Sequence, residues 1–459
     1  LSPHALLDFQ RFNADVTAGF LNEQAVTLRQ FILPTQWITT NYTNAIRAAD
    51  PRLSDKLDFQ SFTMYPVSGR NLLGGNNFRT GNPYRIMEAC DYFRSIKGVT
   101  GLMELQPGQV NWAPVNPQLE PGTVHMWLMQ AFGGGCSFAC TYRYRHPLWG
   151  SEMYHEGIVG TDGITLTQGG LEFVQAMKDL KVLKSNFKAG ATMPEPLNKR
   201  TTGFLWEQQN MWDLDIQTQT TQWDTWKLRN TYTSIIKSTG APIDFITKET
   251  NFSSYPFIVA PAFQLIDNNL VEKWMTYVSN GGHLILTCRT GQKDTNSHFF
   301  EAKLAGSISS LIGADLEFFD MLPEGVIAEI KYKQESYKWS CWGEILQPHH
   351  NTNVLAVYAD QYYAGKAAAT TRRLGKGTIT FIGVVTMDGK LEHNIVRAVY
   401  QNAGVQIEDL PKGVYVEWRD GYMIAVNYSD NPCRLNIPVT SNILVGKNPL
   451  GPAKAVVWR

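Results

Sequence analysis

Excess charge of either sign is missing from this chain. Its 41 basic residues stand against 41 acidic ones, so no whole-molecule field draws it to nucleic acid or to an anionic membrane. Cysteine is scarce: six in 459 residues, with no Cys-x-x-Cys pair, exclude a disulfide scaffold and a zinc ribbon, and fit a reducing, cytoplasmic compartment. Internal repeats and low-complexity tracts are absent. Long apolar runs are lacking too. The window from Val124 to Thr141 is broken by His125, Gln130 and Gly133-Gly134-Gly135, and reads as a buried helix turning through glycine into a strand, not as a membrane span. Leu1-Ser2-Pro3 offers no initiator Met, basic leader or apolar h-region, which is how a mature or truncated product is expected to begin.

What is present is enough apolar material, 43% of residues, for large cores in about three domains. Aromatic residues are plentiful, with 13 Trp, 19 Tyr and 22 Phe. Most are expected in cores. Rings can also pave a sugar site, because a pyranose presents an apolar C–H face that stacks on them.

Ser2-Pro3 followed by Leu6, Phe9, Phe12, Val16, Phe20 and Leu28 predicts one long amphipathic helix. Strands are expected at Trp37 to Thr40, Asp58 to Tyr65, Thr100 to Leu105 and Ser137 to Arg145. Helices are expected at Pro83 to Lys97, Val124 to Phe132 and Thr167 to Leu183, and the Gly/Asn-rich stretch from Ser68 to Asn82 reads as a functional loop. Such alternation predicts parallel βα units. Asn186 to Gly203 reads as a linker. Beyond it, Phe257 to Ala260, a helix from Asn268 to Ser279 and a strand from His283 to Cys288 form a βαβ unit, with a helix from Leu391 to Asn402 closing that domain. From Val405 the pattern turns to short antiparallel strands, with Arg419-Asp420-Gly421 as a hairpin turn. The expected domains are therefore 1–190, 191–404 and 405–459.

Chemistry is concentrated at two strand ends. Glu104 closes the strand from Thr100, where a carboxylate points into the mouth of a parallel barrel. After the next strand come Tyr142-Arg143-Tyr144-Arg145-His146, Trp149, Glu152 and His155. Two carboxylates with rings on one face suit glycosidic bond cleavage, in which one carboxylate attacks the sugar and another protonates the leaving group.

These residues carry a resemblance. Leu7-Asp8-Phe9-Gln10-Arg11-Phe12, Trp37-Ile38-Thr39-Thr40-Asn41, Tyr65-Pro66, Met103-Glu104 with Gln106-Pro107-Gly108 and Val110-Asn111-Trp112, Tyr142-Arg143-Tyr144-Arg145, and Glu152 with His155 resemble the C-terminal two thirds of glycoside hydrolase family 42, the β-galactosidases. Tyr255 to Pro261, Gly281-Gly282 and Thr290-Gly291 look like that family's trimerisation domain. The resemblance implies the C-terminal half of a (β/α)₈ TIM barrel, a flavodoxin- or amidotransferase-like α/β trimerisation domain and a small antiparallel β domain.

It also implies a retaining β-galactosidase with Glu104 as nucleophile, Tyr65 bonded to that carboxylate, Trp112 and Tyr142 shaping the galactose subsite, and Glu152 and His155 binding sugar hydroxyls. The expected partners are a β-galactoside and a homotrimer; no metal and no cofactor are expected. The family's acid/base motif, Asn-Glu-Tyr-Gly, does not occur here, and Asn22-Glu23 reads as helix surface. Four strands make half a barrel, so the other half is expected on the same or a companion chain. A non-catalytic galactoside-binding or assembly protein of the same fold is the alternative.

Weaker signals surround these. Cys288 in Thr287-Cys288-Arg289-Thr290-Gly291 faintly imitates a nucleophile elbow, and Cys136 and Cys140 are expected on one strand face without making a metal site. His349-His350 reads as surface, and the sequons at Asn41, Asn251 and Asn427 carry no argument.

Overall fold

The computed structural model describes residues 2–43, 47–69 and 75–459. Three sheets organise it, lying within residues 41–141, 202–386 and 414–458.

The first is parallel, in the order β1 (Asn41–Thr43), β2 (Gln60–Met64), β3 (Thr100–Leu105) and β4 (Cys136–Thr141). Its helices are α1 (Pro3–Arg29), the single turn α2 (Asn77–Thr80), α3 (Pro83–Lys97), α4 (Thr123–Gly133) and α5 (Gln168–Ser185). Asn82 caps α3 through the Tyr84 N–H, and Gly98 ends it in the left-handed conformation. The α4 N-terminus is capped from outside: the buried Glu172 carboxylate of α5 accepts from the N–H groups of Gly122 at 2.6 Å, Val124 at 2.8 Å and His125 at 3.3 Å. A negative group there also suits the helix dipole.

Local readings differ from the sequence expectation at several points. Trp37 to Thr40 precedes the hydrogen-bonded strand, which is Asn41–Thr43. The apolar stripe of α1 lies in water: Phe9, Phe12, Val16, Phe20 and Leu28 are exposed, Phe12 and Phe20 by 60% and 61%. The buried residues are instead Leu7, Ala14, Ala18 and Ala25, small enough for close packing. Part of the expected loop from Ser68 to Asn82, residues 70–74, lies outside the described residues, and its last part forms α2.

Cys136 is buried against Cys90, with 3.5 Å between the sulfurs, whereas Cys140 is exposed. Their expected common face fails because β4 bulges between Cys136 and Ala139 relative to β3, and an extra residue inverts the alternation.

The second sheet is mixed. After the turn α6 (Glu195–Asn198), which interrupts the expected linker, come β5 (Thr202–Leu205), α7 (Gln208–Ile216), α8 (Thr225–Ser238), β6 (Ile243–Ile246), β7 (Phe257–Ala260), α9 (Asn268–Ser279) and β8 (His283–Thr287). Beyond α10 (Gly306–Ile312) an antiparallel extension follows: β9 (Ala314–Asp320), β10 (Ala328–Tyr332), β11 (Glu335–Pro348), β12 (Asn353–Tyr358), β13 (Ala367–Leu374), β14 (Gly377–Ile382) and β15 (Val384–Thr386). It joins the parallel part where β14 pairs with β8, and α11 (Lys390–Asn402) packs behind it against α8. The third sheet runs β16 (Val414–Arg419), β17 (Tyr422–Asn427), β19 (Lys454–Trp458) and β18 (Ile443–Val445), all antiparallel, with Asp420-Gly421 turning the first hairpin at positive φ. Among the described residues no helix is long and apolar enough to cross a membrane.

Candidate active site at the carboxyl ends of the parallel strands

A bulge aims the central residue. Phe62 pairs with Leu102, but Thr63 pairs with Glu104, so Met103 is an extra residue in β3. Phe62 stacks on Phe93 of α3, which makes its face the helix-covered side. Strict alternation would put Glu104 on that side with Leu102. The bulge turns it to the opposite face, beside Thr63 and Asn41, and a register defect next to a strand end is a common way to re-aim a side chain.

On that inner face the carboxylate is held by two donors. Asn41 Nδ2 donates to one oxygen of Glu104 at 3.1 Å and the Tyr65 hydroxyl to the other at 2.8 Å. Asn41 is oriented in turn by the Thr63 hydroxyl, which donates to its Oδ1. Burial, and then the hydrogen bond and charge of Glu104, push the Tyr65 hydroxyl far above its ordinary value, so it stays a donor. The backbone carbonyl of Tyr65 accepts from Arg85 at 2.9 Å, which anchors it from the α3 side.

Facing this pair is the segment after β4. The Tyr142 hydroxyl and Arg143 Nη1 both donate to one oxygen of Glu152 at 2.9 Å. The hydrogen bond to Glu152 is the main reason that the Tyr142 hydroxyl titrates above its usual range. His155 lies between the two halves, its ring centroid 5.9 Å from Tyr65 and 5.5 Å from Tyr142. It is 1% exposed, and neither ring nitrogen has a hydrogen-bond partner among the described residues. Burial depresses its pKa, so the imidazole is neutral at neutral pH. Trp112 closes the ring of contacts, edge-on to Tyr65 at 5.4 Å.

All six residues singled out from the sequence, Tyr65, Glu104, Trp112, Tyr142, Glu152 and His155, are thus brought together. Asn41 and Arg143 complete the constellation. Asn41 was visible only as part of Trp37-Ile38-Thr39-Thr40-Asn41, and Arg143 only as part of Tyr142-Arg143-Tyr144-Arg145. Other motifs fall away from it: Glu23 is exposed on α1, and His349 and His350 are exposed in a loop, with His349 3.3 Å from Asp315. Cys288 is fully buried, and burial raises its thiol pKa, the reverse of what a nucleophilic thiolate needs.

The supporting loops are tied to one another. Gln106, fully buried, accepts from Val67 N–H and donates to the carbonyls of Val67 and Gly108, joining the segments after β2 and β3. Gln109 and Glu156 exchange two bonds, and Asn111 Nδ2 donates to the Ser151 carbonyl at 2.6 Å, joining those after β3 and β4.

Carboxylates, amide and phenol donors and open ring faces are thus set where parallel strands end, the place at which βα loops build sites. Residues 1–183 match the family profile described as β-galactosidase, and residues 200–409 that described as β-galactosidase trimerisation domain. The chain belongs to glycoside hydrolase family 42. It is 28% identical over 458 residues to β-galactosidase BgaH of Haloferax lucentense, a match spanning 97% of this chain and 66% of that relative. The chain thus spans just under two thirds of that protein's length. Among solved structures, the β-galactosidase of Halorubrum lacusprofundi superposes with a TM-score of 0.90 at 24% identity, covering 99% of this chain and 68% of that one. That of Marinomonas ef1 gives 0.87 at 25%, covering 100% and 69%.

Proposed function

We propose that the protein hydrolyses terminal β-D-galactosyl residues with retention of configuration, with Glu104 as the nucleophile. The observation that carries this is the Glu104 carboxylate, turned inward by the β3 bulge and held by Asn41 and Tyr65. Two neutral donors aim it without engaging it in an ion pair. Its oxygen attacks the anomeric carbon and forms a glycosyl ester while a second carboxylic acid protonates the departing oxygen. Water then reverses the two roles and releases galactose.

Tyr142, Trp112, Glu152 and His155 form the galactose subsite. Glu152 accepts from sugar hydroxyls on the lone pairs left by Tyr142 and Arg143, and the buried, unpartnered nitrogens of His155 bond to the same sugar. None of the four strand ends described supplies a further carboxylate in the acid's role, so that residue comes from additional strands on the same or a companion chain. The bare apolar stripe of α1 and the single-sided pairing of β1 and β4 support the closing of the sheet into a (β/α)₈ barrel. The trimerisation profile over residues 200–409 supports a homotrimer.

The test is Glu104→Gln in the protein as purified, assayed on a chromogenic β-galactoside. Turnover is expected to fall by at least about 10³-fold while galactose binding persists; unchanged turnover rejects the assignment. A denaturing mass spectrum showing the 51.7 kDa chain alone in an active preparation would reject the additional strands.

A further inference from the structure

A cleft of about 910 Å³ opens between α3, α8, α11 and the turn that leads into β16. That is room for a small molecule. No side chain of the candidate active site lines it. Its charge is unbalanced although that of the whole chain is not: six cations, Arg47, Arg85, Lys227, Arg229, Lys390 and Lys412, share the lining with three carboxylates, Glu88, Asp224 and Asp388.

Each carboxylate is already engaged. Glu88 pairs with Arg229, both buried; Asp388 pairs with Lys390 at 3.0 Å; Asp224 caps α8 by accepting from the Lys227 N–H at 2.9 Å. Among the described residues no carboxylate pairs with the side chains of Arg47, Lys227 or Lys412. Those three cations are what the lining leaves over.

All three stand on fixed backbone. The Arg47 carbonyl accepts from the Trp212 indole, Lys227 lies in the first turn of α8, and Lys412 sits in a turn closed by the Val414 N–H on the Pro411 carbonyl at 2.9 Å. Lys227 also faces the positive end of its own helix dipole, the end that disfavours a lysine. Segments far apart in sequence thus bring unmatched positive charge to one cleft, and a recess with protein walls concentrates such a field. Tyr84, Asn230 and Ser234 add neutral hydrogen-bonding groups, and the lining residue Trp226 holds a buried indole N–H with no acceptor among the described residues.

We propose that this cleft binds a small phosphorylated molecule, a sugar phosphate, with its phosphate on Arg47, Lys227 and Lys412. Phosphate suits the set because its oxygens accept charge-assisted hydrogen bonds from several cations at once. The sugar hydroxyls meet the amide and hydroxyl groups of the walls. Arg85, which lines the cleft, donates to the Tyr65 carbonyl at 2.9 Å, so the guest lies one side chain from the residue that holds Glu104. The site does not depend on the galactosidase reading and survives its failure.

The experiment is calorimetric titration of the protein as purified with glucose 6-phosphate, with glucose and with sulfate, at about 0.15 M salt. Glucose 6-phosphate is expected to bind with a Kd below about 1 mM, and glucose not to bind. The double variant Lys227→Met, Lys412→Met, altered at two exposed side chains, should keep its Tm and weaken that binding by about tenfold. If the double variant melts early, Lys412→Glu alone is titrated in its place, with a loss of about the same size expected. No binding of glucose 6-phosphate, binding unchanged by the substitutions, or sulfate binding as tightly as the sugar phosphate, which marks an adventitious ion only, would each overturn the proposal.

Discussion

Tyr65 and Glu344 show how much can rest on a single side chain in this protein. Removing the Tyr65 hydroxyl leaves Glu104 with Asn41 as its one donor among the described residues. Hydrogen bonds to charged groups contribute about 1.5–3 kcal/mol, so Tyr65→Phe should lower kcat by about 10–100-fold. Glu344 is remote from the site, on β11, and fully buried. Burial pushes its carboxyl up to about 7, against the opposing pull of the Arg289 backbone N–H, the Trp342 indole and the Arg289 charge. Between about pH 4.5 and 7 the unfolded chain releases a proton that the folded protein keeps, so stability declines as pH rises through that window, by on the order of 3 kcal/mol. Glu344→Gln should flatten that decline in thermal melts taken from pH 5 to 8; an unchanged slope would show that other groups cause it.

At the scale of elements, periodicity made most of the first sheet legible. Pro83–Lys97 and Thr100–Leu105 have the bounds that the proline, the glycine and the β-rich run suggested. Two features were hidden for a physical reason. A bulge is a relation between neighbouring strands, so neither the inward turn of Glu104 nor the separation of Cys136 from Cys140 follows from a period of two. The stripe on α1 was legible as apolar but not as uncovered, since one strand of sequence does not say which surface meets it. The antiparallel extension from β9 to β15 passed unread although its hairpins are local, Tyr332 pairing with Glu335 and Leu374 with Gly377, because the alternation of β11 gives way to a buried run. The contact between α5 and the segment after β3 is also invisible in sequence. A Cβ at Gly169 would lie 1.7 Å from the Pro107 carbonyl oxygen. Gly169→Ala should therefore cost about 1–3 kcal/mol and displace the loop that follows Glu104, lowering both Tm and kcat. A full retention of kcat would show that the loop tolerates the shift.

At the scale of the molecule, one buried cation joins the parts that carry the three sheets. Lys237 of α8, 1% exposed, pairs with Asp91 of α3 at 2.9 Å and with Glu417 of β16 at 2.8 Å. Burial works against its charge, but the two carboxylates outweigh it and hold its pKa above the usual lysine value. Arg94 extends the cluster to Asp244 of β6. Lys237→Met would leave two carboxylates facing each other without their shared partner, and a loss of about 3–5 kcal/mol is expected in denaturant titration. Adding Glu417→Leu should recover part of it.

That cluster also orders events in time. Asp91 and Lys237 are synthesised long before Glu417, which follows Lys237 by 180 residues. While the chain is still growing, the lysine has only Asp91 to share its charge, and Arg94 already competes for that carboxylate. The seam between the first two sheets therefore stays hydrated until β16 arrives, and a strand made later acts as the latch that dries the joint between parts made earlier.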